Sequence, residues 1–291
     1  MKKKLNILVL GCSGMLGYSI FDYFNSNKNF NTYGTLRSDE KLSLFDNNQQ
    51  QQILTKIDAL DINSLEQAVI KSQANIIINC IGLIKQEKNF DDPKIAFPIN
   101  SILPHQLANI ALTMKARLIH FSTDCVFTGD KGNYNENDIP DSIDIYGVSK
   151  KLGEVTYKHT ITLRTSIIGH ELDSKKSLVD WFLNSSIEVN GYKNAIFSGL
   201  PTYEVARVLE KFVIPNNTLY GLYHLSANPI NKYDLLNLIK EIYKKDIIIK
   251  EDKEFKIDRS LNSDIFKKTT GYNPPTWKEL VHNMCKNKIY R

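Results

Sequence analysis

The sequence predicts an α/β fold: a doubly wound parallel sheet with helices on both faces, followed by a smaller α/β lobe. Short apolar segments alternate with amphipathic ones through residue 165, and several of the apolar segments, such as 76–78, are continuously β-branched. Strands without a polar face are typical of a parallel sheet that helices bury on both sides. After Thr165 the alternation fades, which indicates a separate, smaller lobe.

Each predicted element follows from the period of its apolar residues. In chain order, strands are predicted at residues 5–10, 30–34, 57–60, 76–81, 117–122, 161–165 and 222–225. Helices are predicted at 15–24, 64–71, 104–114, 146–158, 178–183, 205–212 and 233–243, with a turn at 271–275. We therefore expect a first domain at 1–166, with a returning segment at about 205–227, and a smaller lobe at 167–204 and 228–291.

The composition argues against several classes of protein. The 291 residues are 42% hydrophobic and 24% charged, as in an ordinary globular protein. The net charge is +5, but basic and acidic residues are interspersed, which favours an anionic small molecule over nucleic acid as the ligand. The four cysteines form no C-x-x-C pair, and the longest apolar stretch, 76–84, contains Asn79. We expect no metal, no disulfide framework, no membrane span and a cytoplasmic location.

A glycine-rich turn follows the first predicted strand and opens the first helix, with the spacing G-x-x-G-x-x-G at residues 11–17. The first glycine permits the tight turn, the second lets a pyrophosphate approach the backbone, and the third lets the helix pack close to the sheet. This placement predicts a Rossmann-type dinucleotide site rather than a tight turn without a ligand. The residues expected there are Gly11, Ser13, Gly14, Met15, Leu16 and Gly17.

Arg37 and Ser38 follow the second predicted strand, where a base favours the 2′-phosphate of NADP and an acid favours NAD. We therefore predict NADPH as the cofactor, with NADH still possible and a solvated loop arginine as the alternative. Asp61 and Ile62 are placed at the adenine, although Asp61 or Asn63 could equally cap a helix. Residues at the ends of later strands complete the predicted cofactor site: Asn79, Cys80, Ile81 and Thr165.

Tyr146 and Lys150 form the pattern Y-x-x-x-K on a predicted helix, which places both side chains on one face. A neighbouring ammonium lowers the pKa of a phenol and makes it a usable proton donor to a developing alkoxide. Thr123 follows the strand predicted at 117–122, beside the cofactor crevice, where its hydroxyl can bind the same substrate oxygen. Turn and cap chemistry is the alternative role for both Thr123 and Asn79.

Together these motifs resemble the extended short-chain dehydrogenase/reductases, and specifically the dTDP-4-dehydrorhamnose reductase branch. The matching segments are 11–17, 122–127, 146–154, 163–166, 198–202, 221–225 and 271–280. The resemblance implies that Thr123, Tyr146 and Lys150 are the catalytic set and that the smaller lobe covers a nucleotide-sugar site. It also implies NADPH-dependent reduction of a keto group on a nucleotide-linked 6-deoxyhexose, in the synthesis of bacterial surface polysaccharide.

The resemblance also guides the expected substrate contacts. We place Lys85, Thr123, Asp124, Cys125, Tyr146, Ile167 and Arg259 at the substrate. Arg259 is the first choice for the diphosphate, with Lys175 and Lys232 behind it. Lys85 and Gln86 replace a loop of small residues expected after Asn79, and a solvated loop lysine is the alternative for Lys85.

Two departures from the branch leave other functions open. Cys125 and Ile167 stand where the reductases usually carry Tyr and Trp, so the sugar pocket is expected to differ. A cysteine at position 125 also matches the acid–base cysteine of related epimerases, which works with a histidine; His170 is near in sequence but outside that family's motif. The alternatives are therefore an epimerase or epimerase–reductase using Cys125, and a non-catalytic NADP-binding regulatory subunit. The oligomeric state is open, a homodimer included.

Overall fold

The computed structural model describes residues 4–85, 87, 89–173 and 176–287. The chain forms two compact units, each built from three segments. The first unit comprises Met1–Ser122, Ile143–Leu163 and Asn216–Leu222, and the second comprises Thr123–Ser142, Arg164–Pro215 and Tyr223–Arg291. The sequence analysis instead placed 123–142 with the cofactor domain and drew the returning segment at 205–227. The assignment of the cofactor to one domain and the substrate to the other stays a prediction.

The strands and helices alternate along the first half of the chain. The strands are β1 Leu5–Leu10, β2 Phe30–Thr35, β3 Ile53–Leu54, β4 Ile76–Asn79, β5 Arg117–Thr123, β6 Thr160–Thr165, β7 Ile167–Ile168, β8 Glu188–Phe197, β9 Leu200–Pro201, β10 Gly221–His224, β11 Ile230–Asn231 and β12 Ile248–Asp258. The helices are α1 Met15–Asn25, α2 Asn47–Gln50, α3 Ile62–Ser72, α4 Pro93–Phe97, α5 Leu103–Thr113, α6 Ile145–Leu152, α7 Leu178–Asn184, α8 Thr202–Val208, α9 Lys232–Tyr243, α10 Asp264–Thr270 and α11 Trp277–Lys286. Wider, π-helical turns precede α5 and follow α8, at Pro98–Ile102 and Leu209–Val213.

The central sheet confirms the predicted fold class. It has seven strands in the order β10-β6-β5-β4-β1-β2-β3, and β1 pairs in parallel with both β2 and β4. Four consecutive residues of β1, Ile7–Leu10, are buried, and only Leu8 and Leu10 belong to the cluster that α3 and α5 cover. Since alternate side chains of a strand point to opposite faces, both faces of this strand are covered.

Two predicted elements of the first unit were wrong in detail. Residues 57–60 form a turn rather than a strand, and the short strand β3 comes earlier, at Ile53–Leu54. The helix predicted at 146–158 begins one residue earlier and ends at Leu152. Gly153 follows it because a Cβ at this position would overlap the carbonyl oxygen of Asn100. Only glycine permits this approach of two backbones.

The second unit contains its own three-stranded sheet, in the order β11-β8-β12. Its apolar core joins buried residues of α7, α9 and α11, among them Phe182, Leu236 and Val281. The predicted helices at 178–183 and 233–243 are confirmed as α7 and α9. The sequence analysis missed the long strands β8 and β12 and the helices α10 and α11. Across the described residues, no helix has both the length and the apolar character needed to cross a bilayer.

Candidate active site

The glycine turn has the close backbone approaches that its spacing predicts. Gly11 has a φ of +78°, and its N–H donates to Thr35 Oγ1 at 3.1 Å. A Cβ on Gly11 would lie 2.9 Å from Ile81 Cγ1, and a Cβ on Gly17 would overlap the carbonyl oxygen of Gly11. Glycine is therefore required at both positions. At Gly11 both the positive φ and the close contact require it, and at Gly17 the lack of space does.

The start of α1 is open to an anion. Gly14 stands at its N-cap and supplies no side chain to bind the first N–H groups of the helix. A Cβ on Gly14 would meet only Gly11 O, at 3.7 Å, so the space above the turn is free within this unit. Ser13 and Met15 are half-buried, whereas Leu16 is buried in the core. An uncapped helix start beside a glycine turn suits a pyrophosphate.

The predicted adenosine contacts divide into two kinds. Arg37 is exposed, and no hydrogen bond or ion pair joins its side chain to the described part of the chain. Ser38 Oγ donates weakly to Glu40 at 3.4 Å. Asp61 caps α3 by accepting from the N–H of Asn63 at 3.0 Å, and no strand ends there. The helix-cap alternative for Asp61 therefore describes its structural role, while Arg37 remains free to receive a phosphate.

The end of β4 carries a buried polar pair. The Asn79 amide donates to Nδ1 of His120 at 3.1 Å, and its oxygen accepts from the N–H of Ile81 at 3.1 Å. Burial and the Lys150 charge lower the pKa of His120 well below its usual range, so the ring is neutral. Burial likewise raises the pKa of the Cys80 thiol and keeps it protonated. Asn79 thus orients the backbone that follows β4, and its predicted place in the cofactor site stays a prediction.

Helix α6 carries the Y-x-x-x-K pair. Asp144 caps this helix by accepting from the N–H of Gly147 at 2.8 Å. Lys150 is only 7% exposed, and its Nζ donates to the carbonyl oxygen of Phe121 on β5 at 2.7 Å. Burial lowers the pKa of Lys150 to about 8, against the opposing effects of Glu154 and Cys80. At neutral pH the structure therefore holds a buried ammonium one turn after Tyr146.

A second lysine lies beside Tyr146. Lys85 Nζ is 5.6 Å from the centre of the Tyr146 ring and 2.8 Å from Asp144 Oδ2. A cation over an aromatic face is attracted to the ring. The structure thus links Lys85 to the helix that carries Tyr146, whereas the sequence analysis assigned it to the substrate. Gln86 lies outside the described residues. The sequence analysis missed Asp144, although an Asp immediately before a helix is a recognisable N-cap signal.

In the second unit, three consecutive residues share a hydrogen-bond network. Thr123 is 7% exposed; its Oγ1 donates to Asp124 Oδ1 at 3.1 Å and accepts from the N–H of Cys125 at 3.1 Å. Burial raises the pKa of the Asp124 carboxyl, while Arg259 and the hydrogen bonds from Thr123 and Cys125 oppose the rise. The turn chemistry that was the alternative role for Thr123 is therefore present.

Two cations accompany this network. Arg259 Nε donates to the carbonyl oxygen of Phe127 at 2.8 Å, and Arg259 Nη1 lies 3.8 Å from Cys125 Sγ. Lys232 is close enough to feel the Asp124 charge, although burial lowers the pKa of Lys232 overall. Two cationic side chains and the carboxyl groups of Asp124 and Asp141 thus lie close together. Lys175 lies outside the described residues.

His170 has a different set of partners from the one the epimerase alternative needs. Its Nδ1 is 2.8 Å from Asp180 Oδ1, and its Nε2 is 2.8 Å from the Tyr243 hydroxyl. Both ring nitrogens are therefore engaged away from Cys125. Ile167 is half-buried on β7, and the Thr165 hydroxyl donates to the Ser166 carbonyl at 3.0 Å.

The predicted site residues fall in both units. The first unit brings Tyr146 and Lys150 onto one helix and holds the glycine turn; the second brings Thr123, Asp124, Cys125 and Arg259 together. Each group is described within its own unit. Whether these residues serve cofactor and substrate stays a prediction.

A sequence model of the family described as RmlD substrate binding domain matches residues 5–289. The dTDP-4-dehydrorhamnose reductase of Aggregatibacter actinomycetemcomitans is 29% identical over 206 residues, covering 66% of this chain and 70% of that protein. Methionine adenosyltransferase 2 subunit beta of Bos taurus is 26% identical over 256 residues, 81% of this chain and 72% of that protein. The crystal structure of dTDP-4-dehydrorhamnose reductase from Bacillus anthracis in complex with NADP has a TM-score of 0.81 at 20% identity, covering 98% of this chain and 100% of that one. This last likeness shows a shared fold.

Proposed function

The chain belongs to the RmlD substrate binding domain family, and from this membership we propose that it is an NADPH-dependent reductase of a nucleotide-linked 4-keto-6-deoxyhexose. A similar reductase covers two thirds of the chain. The observation that carries the proposal is the buried Lys150 ammonium, seated on Phe121 O one helical turn after Tyr146. A buried charge is costly, and it is typical of a site where chemistry uses it.

The first unit fits the cofactor. The uncapped start of α1 would hold the pyrophosphate, and Arg37, exposed and without a partner among the described residues, would bind the 2′-phosphate. Asn79 fixes the backbone of Ile81, whose side chain packs over the glycine turn. NADPH, when bound, supplies the hydride.

The proposed proton donor is Tyr146. Lys150 keeps a positive charge on the same face of α6, and Lys85 holds another over the ring. Both charges favour negative charge on the phenol oxygen, so the hydroxyl gives up its proton more readily as charge develops on the substrate oxygen. Lys150 is the stronger contributor because it is buried, whereas the Lys85–Asp144 pair is partly exposed to solvent.

Thr123 is the proposed second donor to the substrate oxygen. Its hydroxyl hydrogen points to Asp124 in this structure, and donation to a carbonyl requires the hydroxyl to rotate. Arg259 and Lys232 would receive the diphosphate of the substrate, since both are cationic and lie beside the network of Thr123, Asp124 and Cys125. Cys125 then lines the sugar pocket as a small, weakly polar side chain.

The regulatory-subunit alternative has one observation in its favour: the similarity to methionine adenosyltransferase 2 subunit beta extends over 81% of the chain. The epimerase alternative is weakened because His170 is held by Asp180 and Tyr243. The reductase and the regulatory subunit differ in whether they consume NADPH. A regulatory subunit binds NADPH without consuming it.

The test follows NADPH absorbance with dTDP-, UDP- and GDP-linked 4-keto-6-deoxyhexoses. We expect oxidation with at least one of them and a loss of about 10²–10⁴-fold in Tyr146→Phe, which removes the general acid. Tyr157→Phe is the matched control, because Tyr157 is an exposed tyrosine of the same unit whose hydroxyl lies 3.4 Å from His105 Nδ1. If NADPH binds but is oxidised with none of these sugars, the reductase proposal is overturned. A loss below about tenfold in Tyr146→Phe would remove Tyr146 as the acid.

A further inference from the structure

Glu154 lies four residues after Lys150 and is held in place by a strand. Its Oε1 accepts a hydrogen bond of 2.7 Å from Ser122 Oγ. Ser122 is itself 4% exposed and follows Phe121, whose carbonyl accepts from Lys150 Nζ. Two consecutive residues of β5 therefore hold Lys150 and Glu154, which fixes the carboxylate and the ammonium on the same strand.

Two titratable groups near Lys150 carry no charge at neutral pH. These are the Cys80 thiol, just after β4, and the His120 ring on β5, the first kept protonated and the second kept neutral by burial. Gly82 approaches Lys150 Nζ without a side chain. The Glu154 charge is the largest effect that opposes the lowering of the Lys150 pKa by burial.

Within the described part of the chain, the elements packed against α6 place no second carboxylate against Lys150. The π-helical turn Pro98–Ile102 contributes Asn100 and Ser101, which bind Ser149 through uncharged groups at 3.1 and 2.8 Å. On α4, Lys94 is exposed and is a cation. At the N-cap of α6, the Asp144 carboxylate is paired with Lys85 and accepts a hydrogen bond from the Gly147 N–H. Glu154 is thus the carboxylate placed to balance Lys150.

We infer that Glu154, fixed by Ser122, is a positioning residue that keeps the Lys150 ammonium protonated while Tyr146 donates its proton. The inference rests on the proposed function. Glu154 acts through Lys150 and does not touch the substrate. Without its negative charge, Lys150 and Tyr146 both lose a proton more easily, because the carboxylate disfavours each deprotonation. Reduction requires both groups in their protonated forms. As the pH rises, activity would therefore be lost at a lower pH than in the wild type.

The test compares the alkaline limb of the kcat/KM–pH profile in wild type, Glu154→Gln and Ser122→Ala. Glu154→Gln keeps an oxygen that can accept from Ser122 and removes the charge; we expect its limb to move about 1 pH unit lower. Ser122→Ala keeps the charge but removes the hydrogen bond from Ser122 to the carboxylate, so its limb should move in the same direction by less. Glu66→Gln is the matched control, an acid of the same unit on α3, and its limb should stay at the wild-type position.

A second readout needs no substrate. The Lys150 Nζ titration is followed by NMR in protein with ¹⁵N-labelled lysine, with Lys150→Met to assign the signal, and its midpoint should be lower in Glu154→Gln than in wild type. If the alkaline limb and the Lys150 titration midpoint of Glu154→Gln both stay at the wild-type positions, the inference is overturned. If Glu154→Gln does not fold, an unmoved limb in Ser122→Ala overturns it. If wild type reduces no substrate, the proposed function fails, and the NMR midpoint alone decides the inference.

Discussion

The two units bury their cations in different ways. In the first, Lys150 donates to one carbonyl and lies among the neutral side chains of Cys80 and His120. In the second, Arg164 is 3% exposed, its guanidinium is 5.4 Å from the Phe127 ring centre, and its Nη1 is bonded to His224 Nε2 at 3.2 Å. The planar guanidinium is satisfied by several partners at once, whereas the lysine has one protein acceptor. This comparison indicates a structural cation in the second unit and a chemically available one in the first.

The units also differ in how locally they are built. In the first, β1, β2 and β4 are each followed along the chain by a strand that pairs with them in parallel, as β2 follows β1 after α1. In the second, β8 pairs in parallel with β12, which lies beyond α8, β10 and α9 in the chain. Distant pairings leave a weaker periodic signal in the sequence than local ones. The predictions below set the two units against each other, beginning with the largest effect.

The first prediction concerns the glycine turn of the first unit. Gly17→Ala places a Cβ against the Gly11 carbonyl and should destabilise the fold by more than about 3 kcal/mol, since a clash with backbone atoms cannot relax cheaply. Gly14→Ala is the control: its Cβ has ordinary room, and the cost should stay below about 1 kcal/mol. Thermal unfolding of the protein without cofactor separates the two. Equal unfolding midpoints would contradict the close packing of this turn.

Gly14→Ala should still weaken NADPH binding by roughly tenfold, because its methyl group occupies the approach to the helix start. Titration of NADPH against the variant measures this effect. Unchanged affinity would place the pyrophosphate elsewhere, whatever the stability of the variant.

The second prediction concerns His224, which is buried in the second unit. Burial lowers the pKa of His224 to about 4, against the usual value of 6.5. The unfolded chain therefore binds a proton that the folded chain refuses, and stability is lost as the pH falls from 6.5 through 4. The loss specific to this residue is on the order of 3 kcal/mol. It should be absent in His224→Asn, whose amide can still donate to Tyr134 O as the imidazole Nδ1 does at 3.0 Å.

Urea unfolding at pH 7 and pH 4 measures this difference. Both tryptophans, Trp181 and Trp277, lie in the second unit, so their fluorescence reports that unit. A wild-type protein that loses no more stability than the variant over this range would contradict a buried neutral His224.

The third and smallest effect is predicted for Cys125→Ser. For a reductase, activity should stay within about threefold of wild type, because the thiol lines the pocket without exchanging a proton. An epimerase would lose about 10²–10⁴-fold and would incorporate deuterium from D₂O beside the keto group. Cys285→Ser, at a half-buried cysteine on α11, is the matched control. Deuterium incorporation that disappears in Cys125→Ser would establish acid–base chemistry in the second unit.

The first unit was predictable because its signals are local. The apolar segment at 5–10 coincides with β1, and the spacing of the glycines reflects contacts that form within one turn. The strand predicted at 57–60 was wrong because Ile57 is buried in a loop, and burial alone carries no information on hydrogen bonding. Y-x-x-x-K was recognisable since both residues lie on one helix.

Much of the second unit gave no such signal. Strand β12 has a mostly exposed, charged sequence, so it lacks the alternation that identifies a half-buried strand. Helix α11 did carry a signal that was overlooked, the capping box formed by Thr276 and Glu279. Glu154 and Ser122 belong to no shared motif, because their contact depends on how α6 and β5 pack.

The interleaving of the segments has a consequence for synthesis. The chain passes from one unit to the other after residues 122, 142, 163, 215 and 222. The first unit is therefore complete only when residue 222 has left the ribosome, and the second only when the segment that begins at Tyr223 has followed it. No single cut releases either unit whole. Fragments made by truncation would each lack strands or core segments, and a stop codon late in the message would leave unburied apolar surface for chaperones and proteases to recognise.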